Sequence, residues 1–228
     1  MSAAPRLVIF DVDGTLVDSQ VSILTAMRAA FAQAGLESPP AARILSIVGL
    51  SLDQAIWQLV PEQDDATRAA LVASYKEAFR VRRLADTSGQ DAPLYPGART
   101  ALDRLAGQSD VVLGVATGKS RRGLDALIER HDLHHVFATR QVADDHPSKP
   151  HPAMILAAMA ETGCAPTNTV MIGDTSFDMD MAQAAGVAGI AVTWGYHAPD
   201  LLRPRARILI DDFAALHGAL DRLWEPAA

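Results

Sequence analysis

Short and almost wholly apolar runs recur along the chain, and each one ends at a polar or small residue. They cover residues 7–10, 111–116, 169–172, 189–192 and 207–210. Runs of this kind are typical of parallel strands that are covered on both faces. Segments with helical periodicity lie between them, at residues 99–106, 122–129, 152–161 and 177–185. The alternation predicts an α/β fold, a Rossmann-like parallel sheet with helices on both faces.

One long stretch interrupts this alternation. Between the first and second apolar runs the pattern is helical throughout, with predicted helices at residues 21–34, 41–60 and 65–84. A strand-free stretch of this length is too long for an ordinary connection within a sheet. We therefore expect an inserted α-helical subdomain, here called the cap, at residues 18–92, with residues 1–17 and 93–228 forming the core.

Composition and charge exclude several classes of protein. The chain has 228 residues, of which 49% are hydrophobic, and a formal net charge of −7. These proportions are those of a globular protein and not of a disordered one. No run of Lys and Arg is longer than two residues, so neither a nucleic acid nor an anionic membrane is an expected partner.

The chain contains one cysteine, Cys164, which cannot form a disulfide within the chain and has no zinc-ligand spacing around it. No apolar run approaches the roughly 18 to 20 residues that cross a bilayer, and the first apolar run is too short for a signal peptide. These features predict a soluble protein of a reducing compartment, and we expect it in the cytoplasm.

Candidate chemistry begins directly after the first apolar run. Asp11 and Asp13 are two residues apart, so both side chains point to the same side of an extended chain and can enter one site. Two carboxylates so close together need a counter-ion or a shared proton. The alternative is a turn at the end of a strand, where one of the aspartates caps a helix.

A second pair of carboxylates follows the apolar run at residues 169–172. Asp174 and Asp178 are four residues apart, about one helical turn, where a loop becomes a helix. Carboxylate oxygens are ligands that suit Mg²⁺. The alternative is that Asp178 only stabilises the helix N-terminus through the helix dipole.

Two further segments could bind phosphate. Thr117 and Gly118 follow the second apolar run, where a hydroxyl group and free backbone N–H groups at a helix N-terminus can hold an anion. A nucleotide-binding P-loop is excluded, because Leu113 stands where that motif needs its first glycine. Lys149 lies between prolines that stiffen its backbone. It can deliver one ammonium group to a fixed place, or it can be an exposed lysine in a loop.

Taken together, these segments resemble the haloacid dehalogenase superfamily, and specifically its phosphoglycolate phosphatase-like branch. The resemblance covers nearly the whole chain and rests on residues 11–19, Thr117, residues 149–152 and residues 173–178, in this order. It implies a Mg²⁺-dependent phosphatase that hydrolyses small phosphomonoesters through an aspartyl-phosphate, with 2-phosphoglycolate as one candidate substrate. Its partner is then a small phosphorylated metabolite. Whether the protein is a monomer or a homodimer stays open.

The resemblance also implies a role for each candidate. Asp11 is then the nucleophile, and Asp13 protonates the leaving group and later activates water. The metal ligands are the Asp11 carboxylate, the main-chain carbonyl of Asp13 and Asp174, with Asp178 binding the metal directly or supporting its ligands. Thr117 and the Gly118 amide hold the phosphoryl oxygens, and Lys149 bridges Asp11 and the phosphate.

Departures from related families narrow the reaction. The superfamily's dehalogenases lack an aspartate two residues after the nucleophile, where this chain has Asp13. Its phosphosugar mutases have a cap histidine at the position of Ile23. A phosphotransferase or mutase with the same nucleophile is therefore the second hypothesis, and a phosphate-binding protein without activity is the third. Many phosphoglycolate phosphatases have Asn at the position of Gly118, which leaves the substrate open.

Residues of the cap are expected to select the substrate. The candidates are the loop at residues 49–52 and the cations Lys76, Arg80, Arg82 and Arg83, one of which could bind a substrate carboxylate. Trp57 and Trp224 are interpreted as packing residues. The segment 194–197 could either line the entrance of the site or lie at the edge of the core.

Overall fold

The computed structural model describes residues 4–86 and 91–224. In these residues, six parallel strands form one sheet in the order β3-β2-β1-β4-β5-β6. The strands are β1 (Arg6–Phe10), β2 (Val111–Thr117), β3 (Thr139–Val142), β4 (Thr169–Gly173), β5 (Ala188–Val192) and β6 (Ile208–Ile210).

Ten α-helices connect or follow these strands within the described residues. They are α1 (Gln20–Gln33), α2 (Ala41–Leu45), α3 (Leu52–Leu59), α4 (Asp65–Ala85), α5 (Ala98–Ala106), α6 (Arg121–Arg130), α7 (Ala153–Thr162), α8 (Ser176–Ala184), α9 (Pro199–Leu202) and α10 (Leu216–Trp224). None of the helices in the described ranges has the length and apolar character that crossing a membrane requires.

Both faces of the central strand are covered. Val8 and Phe10 pack into one apolar cluster with side chains of α5, α6 and α10, whereas Leu7 and Ile9 pack into another with side chains of α7 and α8. Alternate residues of a strand point to opposite faces, so an unbroken apolar run is what this position requires. The predicted Rossmann-like α/β sheet is confirmed.

Helices α1 to α4 have an apolar cluster of their own. Met27, Phe31, Ile44, Ile56 and Leu71 are all almost completely buried within it. The helices stand between β1 and α5, and no strand occurs between β1 and β2 in the part of that stretch that the structure describes. The division into a cap at residues 18–92 and a core stays a prediction, and residues 87–90 and the chain ends 1–3 and 225–228 lie outside the described residues.

Two local predictions were wrong. Strand β3, at the edge of the sheet, was not predicted, because its sequence Thr-Arg-Gln-Val is polar. Thr139 and Gln141 are nevertheless buried, and hydrogen bonds from Thr139 to Glu161 and from Gln141 to Thr139 satisfy their side chains. The single helix predicted at residues 41–60 is two helices, α2 and α3. Gly49, in the connection between them, has φ +103°, which a right-handed helix does not allow.

Candidate active site

The candidate residues meet at one edge of the sheet. Asp11 directly follows β1, Thr117 ends β2 and Asp174 directly follows β4. Strand β1 pairs with β2 on one side and with β4 on the other, and ligands of such sheets bind beyond the carboxyl ends of the strands. The parallel sheet therefore brings together three residues that are distant in sequence.

Lys149 lies at the centre of this group. Its Nζ atom is 2.9 Å from Oδ2 of Asp11 and 2.7 Å from Oδ1 of Asp178. All three side chains are buried, and buried charges persist only when they are paired. The alternative of an exposed lysine in a loop is therefore wrong.

Asp178 has two structural roles at once. Its Oδ2 atom accepts hydrogen bonds from the backbone N–H and the hydroxyl group of Thr175, at 3.0 and 2.7 Å, and completes a capping box at the start of α8. Its other oxygen faces Lys149. The helix-capping interpretation of Asp178 is therefore correct, and it coexists with a place in the charged cluster.

Asp174 is held from two sides. Its Oδ1 atom accepts a hydrogen bond of 2.8 Å from the hydroxyl group of Thr15, and its Oδ2 atom accepts one of 2.8 Å from the backbone N–H of Tyr196. These contacts fix the carboxylate at the end of β4. They join it to the loops that follow β1 and β5.

The carboxylates of this cluster carry more negative charge than Lys149 neutralises. Burial raises the pKa of Asp11 to about 7, against the opposing effect of Lys149 and with a further increase from Asp178. Burial, together with Asp178 and Asp11, raises the pKa of Asp174 well above its usual range. For Lys149, burial would lower the pKa, but the attraction of Asp11 and Asp178 outweighs it and raises the pKa. The site is therefore suited to a further cation.

The residues fit a divalent cation that prefers oxygen ligands. Asp11, Asp174 and Asp178 each offer one carboxylate oxygen, and these oxygens lie within 4.8 Å of one another. Oδ2 of Asp11 is buried and, although it lies beside the Lys149 ammonium group, it accepts no well-aligned hydrogen bond. An oxygen in that state has free capacity for a metal. Such a set of oxygen ligands could hold Mg²⁺.

Asp13 lies near Asp11 but has different partners. Its Oδ1 atom accepts a hydrogen bond from the hydroxyl group of Ser19, and its Oδ2 atom is 2.9 Å from Nζ of Lys119. The Lys119 ammonium group also lies over the ring of Phe79 in α4, 5.1 Å from the ring centre. Asp11 and Asp13 both line one cavity, as the spacing predicted.

Thr117 and Gly118 line the same cavity. The hydroxyl oxygen of Thr117 accepts a hydrogen bond of 3.2 Å from the backbone N–H of Lys119. At Gly118, a Cβ atom would lie 2.5 Å from the carbonyl oxygens of both Gly49 and Leu50. Only glycine allows the α2–α3 connection to approach the end of β2 so closely.

The loop after β5 lies at the edge of the core and does not line this cavity. The indole N–H of Trp194 donates a hydrogen bond to the carbonyl of Thr15. The hydroxyl oxygen of Tyr196 accepts a hydrogen bond of 3.2 Å from the backbone N–H of Ser19. The Nδ1 atom of His197 accepts the backbone N–H of Ser176, which leaves Nε2 to donate to the carbonyl of Ser46 at 3.1 Å. This loop therefore joins the core to the α1–α4 helices.

Sequence reasoning missed several residues of the site. Ser19 lies in the segment 11–19 and Lys119 directly follows Gly118, but neither received a role. Thr15 and Tyr196 were not connected with Asp174. The position of Lys119, directly after Thr117 and Gly118, could have indicated that it belongs to the site. No feature of the sequence could have indicated the contacts of Tyr196, because they depend on how the loop after β5 folds back.

The predicted substrate-selecting cations differ in their surroundings. Arg82 is bound to Asp91, at 2.8 Å, and Arg80 makes two hydrogen bonds to Glu77. Lys76, Arg80 and Arg83 line the cavity, whereas Arg82 is not among the residues that do.

The two tryptophans interpreted as packing residues also differ. Trp57 is 53% exposed, so its interpretation was wrong. Trp224 packs against the core beneath the guanidinium group of Arg6.

Comparisons with known proteins agree with this geometry. The model of the family "Haloacid dehalogenase-like hydrolase" matches residues 8–192. A protein of Dickeya dadantii (strain 3937) named "Probable phosphatase IndB" is 37% identical, over 95% of this chain and 94% of that protein. A phosphoglycolate phosphatase of Xanthomonas campestris pv. campestris (strain 8004) is 30% identical, over 98% and 97% of the two chains.

The fold is shared with solved structures. A haloacid dehalogenase-like family hydrolase from Streptococcus pneumoniae superposes with a TM-score of 0.80 and 25% identity, over 94% of this chain and 98% of that one. The family match extends over most of the chain and the relatives align over nearly its full length. The chain therefore belongs to the haloacid dehalogenase-like hydrolases, as a phosphatase of the phosphoglycolate phosphatase-like branch.

Proposed function

We propose that this phosphatase is Mg²⁺-dependent and hydrolyses a small phosphorylated metabolite in the cytoplasm through an aspartyl-phosphate on Asp11. The observation that carries the proposal is the state of the Asp11 carboxylate. It is buried at the floor of the cavity, beside Lys149, with one oxygen that accepts no well-aligned hydrogen bond. A carboxylate in this state is available to attack phosphorus.

The first step forms the intermediate. An oxygen of Asp11 bonds to phosphorus while the bond from phosphorus to the leaving oxygen breaks, and Asp13 gives that oxygen its proton. Ser19 and Lys119 hold the two oxygens of Asp13, so the position of the acid is fixed before substrate binds. This positioning is what general acid catalysis requires.

The second step returns the enzyme to its starting state. Water attacks the phosphorus of the aspartyl-phosphate, and Asp13 takes the proton of that water. The bond between Asp11 and phosphorus breaks, and inorganic phosphate leaves. The same residue thus acts first as acid and then as base, and the reaction consumes one water molecule for each ester.

Binding of the phosphate is divided among the other residues. Thr117 and the Gly118 amide hold the phosphoryl oxygens, and Lys149 orients Asp11. Asp11, Asp174, Asp178 and the Asp13 carbonyl are the groups that would hold Mg²⁺. When bound, the ion offsets the charge of the phosphate and polarises its oxygens. The helices at residues 18–92 act as a cap that shields the site from bulk water.

The experiment is phosphate release from a panel of phosphorylated metabolites, with Mg²⁺ and with excess chelator. We expect turnover only with the metal, and its loss in Asp11→Asn. Asp103→Asn is the matched control, since Asp103 is an exposed carboxylate in an ion pair with Arg99 on α5, and it should keep its activity. Turnover that survives in Asp11→Asn would exclude Asp11 as the nucleophile.

The panel includes 2-phosphoglycolate, the substrate in the name of the Xanthomonas relative. Transfer of the phosphoryl group to an added alcohol or sugar, in place of release to water, would support the mutase or phosphotransferase hypothesis. No observation favours that hypothesis, since Ile23 lines the cavity where the mutases have their histidine.

A further inference from the structure

The cavity above Asp11 and Asp13 has a large apolar side. It has a volume of about 480 Å³ and lies between the sheet's carboxyl edge and the α1–α4 helices. We call the apolar side chains that these helices and their connections contribute the apolar wall. It consists of Ile23, Met27, Val48, Leu50, Tyr75 and Phe79.

This volume is present while the helices rest against the core. The α2–α3 connection touches the core at Gly118, where no Cβ would fit. The backbone N–H of Ser51 donates to the hydroxyl group of Ser148 at 2.8 Å, and His197 donates to the carbonyl of Ser46. The cavity is therefore not the gap of an open cap, and a bound substrate has this space to fill.

The wall includes two aromatic rings next to the catalytic carboxylates. Tyr75 and Phe79 are one turn apart on α4, with ring centres 5.8 Å apart, and both are only partly buried. Lys119 touches Asp13 and also lies over Phe79. One ammonium group therefore separates the proposed acid, which must reach the leaving oxygen, from the first ring of the wall.

A two-carbon ester would leave the apolar wall in contact with water. Sites of roughly 300–1,000 Å³ bind ligands much larger than that, and they bury most of the ligand against apolar side chains. Water against such a wall lacks hydrogen-bond partners and is readily displaced by an apolar group. Lys76, Arg80 and Arg83 also line the cavity, but 2-phosphoglycolate would leave the apolar wall unoccupied.

We propose that the substrate is a phosphomonoester whose alcohol part carries an apolar, ring-sized group, which packs against Tyr75 and Phe79 while the phosphate lies at Asp11. This inference rests on the proposed phosphatase function and specifies its substrate class.

The test compares benzyl phosphate with ethyl phosphate. Their alcohols are of similar acidity, so the chemical step is similar and the comparison isolates the contribution of the ring. Burial of a ring against aromatic side chains should raise kcat/KM about tenfold or more for benzyl phosphate. Equal kcat/KM values, or a preference for 2-phosphoglycolate over both esters, would overturn the proposal.

Variants of the wall locate the effect. Phe79→Ala should lower kcat/KM about tenfold more for benzyl phosphate than for ethyl phosphate, since any change in the position of Lys119 affects both esters and loss of the ring contact affects only the benzyl ester. Phe79→Leu keeps the wall filled, so its kcat/KM for benzyl phosphate should lie between those of the wild type and Phe79→Ala. It replaces Phe79→Ala in the test if that variant does not fold. Trp57→Ala, on the exposed surface of α3, is the matched aromatic control. An equal loss with both esters in the Phe79 variants would contradict the inference.

A binding measurement tests the ring site independently of the proposed phosphatase activity. Titration of the protein with benzylphosphonate and with ethylphosphonate, neither of which can be hydrolysed, needs no turnover. Tighter binding of the benzyl compound that is weakened in Phe79→Leu supports the ring site even if no ester is hydrolysed. Hydrolysis of ethyl phosphate without any preference for the ring in either measurement leaves the phosphatase intact and overturns this inference.

Discussion

At the scale of single residues, Gly118 controls how closely the helices approach the site. Any larger residue would place a Cβ atom 2.5 Å from two backbone carbonyl oxygens of the α2–α3 connection. Backbone atoms cannot move aside as the end of a side chain can, so the connection itself would have to shift. The absence of a side chain at position 118 is thus a condition for this close approach of the α2–α3 connection to the end of β2.

Gly118→Ala should therefore reduce activity by displacing Gly49 and Leu50. We expect kcat/KM to fall about tenfold or more, with a loss of about 1–3 kcal/mol in the free energy of unfolding from overpacking. Phosphate-release kinetics and urea unfolding measure the two effects. Gly107→Ala is the control, because a Cβ there has only ordinary contacts at 3.5 and 3.6 Å. Full activity in Gly118→Ala would show that the close approach is not needed.

At the scale of elements, the start of α8 links helix stability to the active site. Thr175 is the N-cap of α8, and its hydroxyl group also donates to Asp178, the carboxylate that faces Lys149. The N-cap of α4 is simpler, since Asp64 accepts from the backbone N–H of Thr67 at the protein surface. Variants of these two N-cap residues therefore separate the contribution of an N-cap to stability from its contribution to the candidate active site.

Thr175→Ala and Asp64→Ala should destabilise the protein to a similar degree and differ in activity. Loss of an N-cap costs about 1 kcal/mol, which thermal unfolding can measure in both variants. Only Thr175→Ala also removes a hydrogen bond from Asp178, so we expect its kcat to fall about tenfold while Asp64→Ala stays within about twofold. Equal kcat values in the two variants would show that the capping box of α8 does not contribute to the function of the site.

The loop after β5 gives the contact between core and helices a pH dependence. Burial lowers the pKa of His197, so the folded protein resists protonation that the unfolded chain accepts near its ordinary value of about 6.5. The unfolded state then binds more protons, and stability rises with pH in this window. The contribution is complete above about pH 6.5 and is lost as the pH falls towards the lowered pKa of the folded state.

His197→Gln should accordingly be less sensitive to acid than the wild type. Gln can still accept from Ser176 and donate to Ser46, but it has no proton to gain. The difference in melting temperature between about pH 7.5 and pH 5.5 should be smaller in His197→Gln than in the wild type. His135→Gln, at an exposed position, should behave like the wild type. If the melting temperature of His197→Gln changes with pH as much as that of the wild type, other groups cause the pH dependence.

At the scale of the whole molecule, the carboxylate cluster connects metal binding with stability. Asp11, Asp174 and Asp178 are buried together, with Lys149 as the ammonium group that contacts Asp11 and Asp178. Repulsion among the carboxylates lowers the stability of the metal-free protein, as the raised pKa values of Asp11 and Asp174 indicate. A cation that binds only the folded state must stabilise it.

Mg²⁺ at about 100 times its dissociation constant should stabilise the fold by about 2.7 kcal/mol, or roughly 5–10 °C in melting temperature. Asp174→Asn should melt higher than the wild type without metal, because one buried charge is gone, and should lose most of the response to Mg²⁺. Calorimetric scans with Mg²⁺ and with chelator measure both effects. An unchanged Mg²⁺ response in Asp174→Asn would place the metal elsewhere.

The sequence by itself determined the α/β class, five of the six strands and the motifs that form the candidate site. This was possible because strand burial requires continuous apolar runs and because Asp11, Asp13, Thr117 and Asp174 lie at or just after the ends of those runs. Signals of this kind are local, so they can be identified from the order of residues along the chain. The edge strand β3 escaped prediction because it buries polar side chains that hydrogen bonds satisfy, and not an apolar run. The break between α2 and α3 escaped it because that break depends on one backbone angle at Gly49.

Only the tertiary structure decided which residues share a site and how much space they enclose. Lys119 meets both Asp13 and Phe79, Tyr196 holds Asp174, and the apolar wall faces the catalytic carboxylates. These contacts join segments far apart in the chain, and no local pattern encodes them. The physical reason is that the loops at the edge of the sheet set the charge balance around Asp11, and the packing of the inserted helices against that edge sets the volume above it.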